Sequence, residues 1–223
     1  MKILAVDAAT EACSAALLVD SALTERFEVI GRGHADRLLP MADELLRQAG
    51  LVPRDLDAVA FGRGPGGFTG LRIAAGIAQG LAAGGRWPVV PVSNLAAVAA
   101  GAARTHGRTR ILVCMDARMG QVYWAAYDCS ETRPRAITQE QLSDPGAVVL
   151  PAGAPMFGAG HGFAAHPALA ARLAGGVAGV DGAALPRAGD IARLGALDYA
   201  AGGGLAAAQG LPVYLRDEVV HRR

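Results

Sequence analysis

The chain has 223 residues, of which 52% are hydrophobic and 18% are charged, and its formal net charge is +1. This balance predicts one or two apolar cores and excludes an intrinsically disordered protein. The small net charge gives no global electrostatic argument for nucleic-acid binding. The N-terminal segment meets Asp7 too early for a secretory signal, and no apolar run is long enough for a membrane span, so we expect a cytoplasmic protein with no membrane partner.

The residue types that ligate metals are scattered. Cys13, Cys114 and Cys129 lie far apart without a CxxC pair, which predicts buried thiols rather than disulfides or a zinc site. The histidines include no pair at the i, i+4 spacing of a helical metal site. His161 and His166 lie in a Gly/Pro-rich stretch, and we expect them at the surface. The sequence therefore predicts no metal site.

In chain order, the first hundred residues alternate between strand and helix patterns. Apolar runs bounded by turn residues predict strands at 2–7, 14–19, 23–30, 57–61 and 89–92. Apolar residues at helical spacing predict a helix from Leu38 to Ala49, and Pro40 near its start indicates a kink or a late start. Two further helices are predicted, at about 70–83 with Thr69 as N-cap and from Ser93 to about 103.

The second half begins by repeating the opening pattern. Strands are predicted at 111–116 and 121–127, either side of a short polar turn, so Asp116 ends its strand as Asp7 ends the first one. After Cys129 the signal weakens, and only one more helix is clear, at 191–201 with Asp190 as its cap. The last segment, 211–216, is expected to dock back on the fold.

These patterns favour an α/β protein with the two-lobed architecture of actin-like ATPases and sugar kinases, each lobe a mixed sheet flanked by helices. We assign residues 1–104 to an N-terminal lobe and 105–187 to a second, smaller lobe. Residues 188–223 form a C-terminal helix and tail, which we expect to pack back on the lobes.

A glycine-rich run enters the second helix, with five glycines between Gly62 and Gly70. Without Cβ atoms, this backbone can approach another surface closely, and at a helix start it can offer N–H groups to an anion. The run has no Gly-Lys-Ser/Thr ending, no Rossmann spacing and no serine for a nucleophile elbow. A tight structural turn and a ligand loop are therefore equally consistent with the run alone.

The helix after the run carries Gly76, Gly80 and Gly84 at four-residue spacing, so the three glycines line one face. Each helical glycine costs about 1 kcal/mol relative to alanine, and close packing of another helix on the bare face is the simplest compensation. That helix can be the one ending at Ala49 in the same chain or a helix of another chain.

Asp7 and Asp116 would face one cleft if the two lobes are related as proposed, and such a pair can hold hydrated magnesium near a phosphate. The segment after Asp7 has no glycine or lysine to bind that phosphate. A self-standing ATP-dependent phosphotransferase therefore remains an alternative function, and a less favoured one.

Several segments, taken together and in order, resemble the bacterial TsaB (YeaZ) family. They are residues 1–18, His34 with Leu38-Leu39-Pro40, the run 62–72, Asp116-Ala117-Arg118-Met119-Gly120 with Val122-Tyr123-Trp124, and Pro212-Val213-Tyr214-Leu215-Arg216. The chain departs from the family at Gly67, where serine is usual, and at Gln121, where glutamate is usual. Gly67 removes a hydroxyl that would have contacted a ligand or capped the loop.

The resemblance implies a non-catalytic subunit that pairs with the catalytic subunit TsaD and works with the ATPase TsaE. Together they transfer threonylcarbamoyl to N6 of the adenosine beside the anticodon in tRNAs that read codons beginning with A. The resemblance thus implies indirect contact with tRNA, no required cofactor, ATP or ADP with magnesium only at the interface with the catalytic partner, and homodimers in isolation.

In the family the pairing surface is formed by the first two helices, which correspond here to about 36–49 and 70–83. The partner-interface residues implied are Leu38, Leu39, Ala42, Leu45, Leu46, Arg72, Ile73, Gly76, Ile77, Gly80 and Leu81. A vestigial nucleotide site would comprise Asp7, Thr10, Gly64, Gly66, Gly67, Thr69, Asp116 and Arg118. We expect no catalytic residues.

Overall fold

The computed structural model describes residues 1–216, which form two mixed β-sheets with flanking helices. The first sheet contains β1 (Lys2–Asp7), β2 (Ala12–Val19), β3 (Ala22–Val29), β4 (Ala58–Gly64) and β5 (Val89–Ser93), in the order β3-β2-β1-β4-β5. The second contains β6 (Arg110–Asp116), β7 (Val122–Asp128), β8 (Arg135–Ala136), β9 (Gln141–Ser143), β10 (Met156–Ala159) and β11 (Val177–Asp181). Its order is β11-β10-β6-β7-β8, and β9 also pairs with β7.

Within residues 1–216, six α-helices cover these sheets. They are α1 (His34–Gln48), α2 (Phe68–Gly85), α3 (Asn94–His106), α4 (Gly162–Ala165), α5 (Pro167–Arg172) and α6 (Ala188–Ala200). The first sheet has α1 and α2 on one face, and α3 and α6 on the other. The second sheet packs against α3 on one face and against α4 and α5 on the other. Helix α3 therefore lies between the two sheets and joins their cores.

The repeat expected from the sequence is present in the topology. In each sheet a strand pairs antiparallel with the next strand and parallel with a later one: β1 with β2 and β4, and β6 with β7 and β10. Asp7 lies opposite Ser14 at the end of the first hairpin, and Asp116 lies opposite Val122 at the end of the second. The two-lobed α/β prediction is confirmed.

Several predicted element boundaries are wrong. Helix α1 begins at His34 and runs through Pro40 without a late start. Gly67 is the N-cap residue of α2, so Thr69 lies inside the first turn instead of capping it. Asp190 also lies inside its helix, where it is buried and paired with Arg104. The Ser93 cap of α3 is confirmed, since its Oγ accepts from the Ala96 N–H at 3.1 Å.

The segment with little sequence signal, 130–185, contains β8 to β11, α4 and α5. These elements are two to six residues long, too short for a clear hydrophobic period. Residues 188–200, assigned to the C-terminal part, form α6 on the first sheet. Residues 217–223 of the predicted tail lie outside the described residues. Within residues 1–216, no helix combines the length and the apolar character that crossing a membrane requires.

Candidate functional site

A cleft of about 1110 Å³ opens between the two lobes. It is bounded by the turns that follow β1 and β6, by the first residues of α1 and α2, and by the segment 213–216. Six of the eight residues predicted for a nucleotide site line it, namely Thr10, Gly66, Gly67, Thr69, Asp116 and Arg118. The repeat of the two hairpins is what brings these turns face to face.

Asp7 does not line the cleft, which corrects the prediction that both aspartates face it. Its side chain is fully buried, and its Oδ1 accepts from Asn94 Nδ2 at 2.6 Å. The Asn94 amide is held in turn, since its Oδ1 accepts from the Gly64 N–H at 2.7 Å. Burial raises the pKa of Asp7 to about 6, because the charged form is poorly solvated there. Asp7 is therefore a core residue and is not placed to bind a hydrated cation.

The glycine run serves close packing against the β1–β2 turn. A Cβ at Gly66 would lie 2.6 Å from the Ala9 carbonyl oxygen, and one at Gly70 would lie 1.7 Å from that of Ala8. The Gly67 N–H donates to the Ala9 carbonyl at 2.7 Å, so it is not available to a phosphate. Of the two uses that the sequence left open for the run, the structure supports the tight turn.

Gly64 is the other predicted nucleotide-site residue that does not line the cleft. Its φ is +112°, and a Cβ there would lie 2.5 Å from the Val213 carbonyl oxygen. Only glycine suits this position, because the backbone is left-handed and the C-terminal segment packs directly on it. Gly64 thus accommodates the returning chain rather than a ligand.

The second lobe supplies the polar wall of the cleft. Asp116 is largely buried; its Oδ1 accepts from the Arg118 N–H at 3.2 Å and lies 3.3 Å from His166 Nε2. His161 also lines the cleft, and burial lowers its pKa. Both histidines are half-buried, so they are less exposed than the sequence predicted. On the opposite wall, His34 Nε2 lies 3.0 Å from the Thr10 carbonyl and ties α1 to the first hairpin.

A face of α2 beside the cleft is open to solvent. Phe68, Arg72, Gly76, Gly80 and Gly84 follow one another at four-residue spacing, and all five are exposed. Apart from the adjacent backbone of α2 itself, no described atom lies within 4 Å of a Cβ at any of the three glycines. The glycine face is therefore not packed against α1, and the intramolecular explanation for it is wrong.

The residues implied as a partner interface divide into two groups. Leu38, Ala42, Leu45 and Leu46 are buried in the core beneath α1, which corrects their assignment as contact residues because no partner can reach them. Those that remain accessible are Leu39, Arg72, Ile73, Gly76, Ile77, Gly80 and Leu81. Ile73, Ile77 and Leu81 are half-buried because one side of each packs on the core under α2.

Sequence reasoning missed two features near the site. Glu140 lies in the segment whose hydrophobic pattern is weak. Its carboxylate joins the lobes by accepting hydrogen bonds from Arg63, Ser93 and Tyr127. Tyr214 lies against the start of α2, where its hydroxyl accepts from Arg72 Nε at 3.1 Å. An isolated glutamate carries no local signal for such a contact, whereas Tyr214 belongs to a segment that the sequence had singled out.

Neither a metal cluster nor a reactive thiol is found among residues 1–216. No group of three or more His, Cys, Asp and Glu side chains could hold a metal ion there. The three cysteines are free, with Cys13 and Cys114 buried and Cys129 half-buried, as predicted for the first two. Burial raises the pKa of Cys13 to about 11 and that of Cys129 to about 12, which disfavours the nucleophilic thiolate.

Comparison with known proteins identifies the family. Residues 27–215 match the family model described as TsaD, tRNA N6-adenosine threonylcarbamoyltransferase. The chain is 40% identical over 238 residues to the tRNA threonylcarbamoyladenosine biosynthesis protein TsaB of Escherichia coli, covering 100% of this chain and 98% of that protein. The chain belongs to the TsaB family. TsaB of Haemophilus influenzae is 38% identical over 232 residues, covering 100% of this chain and 97% of the relative.

A solved structure agrees with the TsaB assignment. YeaZ from Pseudomonas aeruginosa superposes with a TM-score of 0.88 at 42% sequence identity, covering 96% of this chain and 99% of that chain. A second Pseudomonas aeruginosa structure with the same scores is described as an uncharacterized protein with similarity to peptidase YEAZ. The fold of this chain is thus that of the solved YeaZ structures.

Proposed function

We propose that this chain is the non-catalytic TsaB subunit of the complex that installs threonylcarbamoyl on N6 of the adenosine beside the anticodon in tRNAs that read codons beginning with A. It binds and supports a TsaD-like catalytic subunit, acts with a TsaE-like ATPase, and meets tRNA through the complex. The observation that carries the proposal is the open face of α2 in a chain that matches TsaB from end to end. Such a bare helix face favours close approach of a second helix.

The cleft supports a non-catalytic role. Asp7 is buried against Asn94, and the N–H of Gly67 is already bonded within the chain. Neither group can therefore bind a phosphate or its magnesium without local rearrangement. A nucleotide with magnesium, if used by the complex, would lie at the interface with the catalytic partner and is not required by this chain.

Reconstitution with purified TsaD-like and TsaE-like proteins tests the role. The chain alone should transfer no threonylcarbamoyl to tRNA, and adding it to the two partners should restore transfer. Equal activity of the two partners without it would overturn the proposal. Repeating the pairing measurement with and without ATP and magnesium tests the nucleotide part separately.

The docking face is tested by Gly80→Leu. We expect the variant to fold, because outside the adjacent backbone of α2 no described atom lies within 4 Å of the new Cβ, and to lose affinity for the catalytic subunit by steric overlap. Gly146→Leu, at an equally open glycine in the second lobe, is the matched control. Co-elution of folded Gly80→Leu with the partner at the wild-type level would place the docking face elsewhere. The same face would also mediate any homodimer of the isolated chain.

The alternative, a self-standing phosphotransferase, rests on the two-lobed fold and on Asp116 at the cleft. It requires magnesium-dependent ATP turnover by the purified chain. Loss of that turnover in Asp116→Asn, with the fold intact, would favour this function over the scaffold role.

A further inference from the structure

The exposed ridge of α2 changes character along its length. Its C-terminal part is the bare glycine face, whereas its N-terminal part carries Phe68 and Arg72 on the same side of the helix. Phe68 is 41% exposed and Tyr214, which lies against it, is 40% exposed. Two large aromatic rings thus remain half in water at one end of the face where we place the partner.

These three side chains form one stacked cluster. The Arg72 guanidinium carbon lies 3.8 Å from the centroid of the Phe68 ring, a cation–π distance. The rings of Phe68 and Tyr214 have centroids 5.3 Å apart, and Arg72 Nε donates to the Tyr214 hydroxyl at 3.1 Å. The two remaining guanidinium nitrogens make no ion pair with a carboxylate of residues 1–216.

The C-terminal segment holds Tyr214 in place from both sides. Before it, the Val213 N–H donates to the Arg63 carbonyl at 2.7 Å, and Gln79 Nε2 of α2 donates to the Gly210 carbonyl at 3.0 Å. After it, Arg216 Nη2 donates to the Ala117 carbonyl at 3.0 Å. The ring is therefore preorganised, so little conformational entropy is lost when a partner covers it.

We propose that Phe68, Arg72 and Tyr214 are the anchor of the docking face, that is, the side chains that contribute most of its binding energy. The TsaD-like subunit binds this cluster and presents a carboxylate to Arg72. The inference rests on the proposed function and adds to it the C-terminal segment as part of the interface. Tyrosine and arginine are, with tryptophan, the residues most enriched among those that dominate binding energy at interfaces, where the partner buries them completely. An arginine with unpaired N–H groups beside them selects a carboxylate by charge and by its forked geometry.

Calorimetric titration of the purified TsaD-like subunit tests the anchor. Tyr214→Ala and Arg72→Ala should each weaken binding at least about 30-fold, the range of interface hot spots. Arg72→Lys should also bind more weakly than wild type, because lysine cannot make the stacked, forked contact. Tyr214→Phe keeps the ring and should lose less than about tenfold. Val149→Ala, at an exposed apolar side chain of the second lobe, is the control and should bind like wild type.

Thermal melts separate folding from binding, since these exposed side chains should leave Tm nearly unchanged. Wild-type affinity of Tyr214→Ala, with Gly80→Leu unable to bind, would overturn the anchor and leave the proposed function intact. Failure of the wild-type chain to bind the catalytic subunit would overturn both.

Because Phe68 and Tyr214 also border the cleft, ADP-magnesium binding by the isolated chain is measured too. If Tyr214→Ala changes only that binding, the cluster serves the cleft and the anchor is wrong.

Discussion

Two aspartates at equivalent ends of repeated hairpins have different environments. Asp7 is buried between Asn94, at the start of α3, and the glycine run. A Cβ at Gly62 would lie 2.0 Å from the Oδ1 atom of Asp7. Asp116 instead lies at the cleft wall beside His166. The same residue in the same topological place is therefore a core group in one lobe and a site group in the other.

The burial of Asp7 predicts a characteristic pH dependence of stability. Its pKa is about 6 in the folded chain and near the ordinary value of 3.8 when unfolded, so the folded state binds the proton more tightly. The neutral carboxyl therefore contributes to the free energy of unfolding below pH 4. This contribution, about 3 kcal/mol in total, is lost as the pH rises through 6.

Asp7→Asn removes this titration. Urea unfolding between pH 3 and 7 should show the variant gaining stability relative to wild type by about 3 kcal/mol as the pH rises, whatever the constant offset between them. Asp43→Asn, on the exposed side of α1, controls for the loss of one carboxylate. Parallel profiles for Asp7→Asn and wild type would show that the pKa of Asp7 is not raised.

At the scale of elements, α2 uses glycine for two different purposes. Gly70, in its first turn, faces the Ala8 carbonyl oxygen at a distance that leaves no room for a Cβ. Gly76 and Gly80, further along, face open solvent. Gly70 is therefore required by the fold of the isolated chain. Gly76 and Gly80 only lower the stability of the helix until a partner protein covers them.

Two alanine substitutions should therefore change stability in opposite directions. Gly76→Ala should raise the free energy of unfolding by about 0.5–1 kcal/mol, because alanine is the better helix former and meets no atom. Gly70→Ala should lower it by more than about 1 kcal/mol, because the Cβ must displace the β1–β2 turn. Chemical denaturation of both variants beside wild type measures the difference. Destabilisation by both would mean that the glycine face is packed in the isolated chain.

At the scale of the whole molecule, a cluster of polar side chains joins the two lobes. Glu140 lies 3.3 Å from Arg63 Nη2 and accepts from the hydroxyls of Ser93 and Tyr127, so it links β4 and β5 to the second sheet. Ser93 also caps α3, the helix shared by both cores. The relative position of the lobes is thus set by a connected polar cluster and by a common helix.

Removing Glu140 should loosen this connection. Glu140→Ala leaves Arg63 without its carboxylate and should lower the free energy of unfolding by about 1–3 kcal/mol. Hydrogen exchange should rise first at the lobe junction, in α3 and β5, before the outer strands. Glu131→Ala, at an exposed loop position, is the control. Equal stability of the two variants would show that the cluster does not hold the lobes together.

Most of the first sheet could be predicted, because its strands and the helices α1 to α3 are long enough for their hydrophobic periods to be clear. Helix starts were less well predicted, since Gly67 and Arg187 cap α2 and α6 without a side-chain hydrogen bond. The short elements of the second lobe were missed. They are held by pairing with β6, β7 and β10 and by packing on the second sheet rather than by local preference.

By itself, the sequence determined the alternation of elements, the repeat of the two hairpins, the family and the importance of the glycine run, because these features depend on local spacing and residue type. Only the tertiary structure decided what each feature does. It placed Asp7 in the core, turned the first part of the glycine run onto the β1–β2 turn, left the face of α2 uncovered and brought Tyr214 to Arg72. Such outcomes depend on contacts between residues far apart in the chain, and no local pattern encodes those distances.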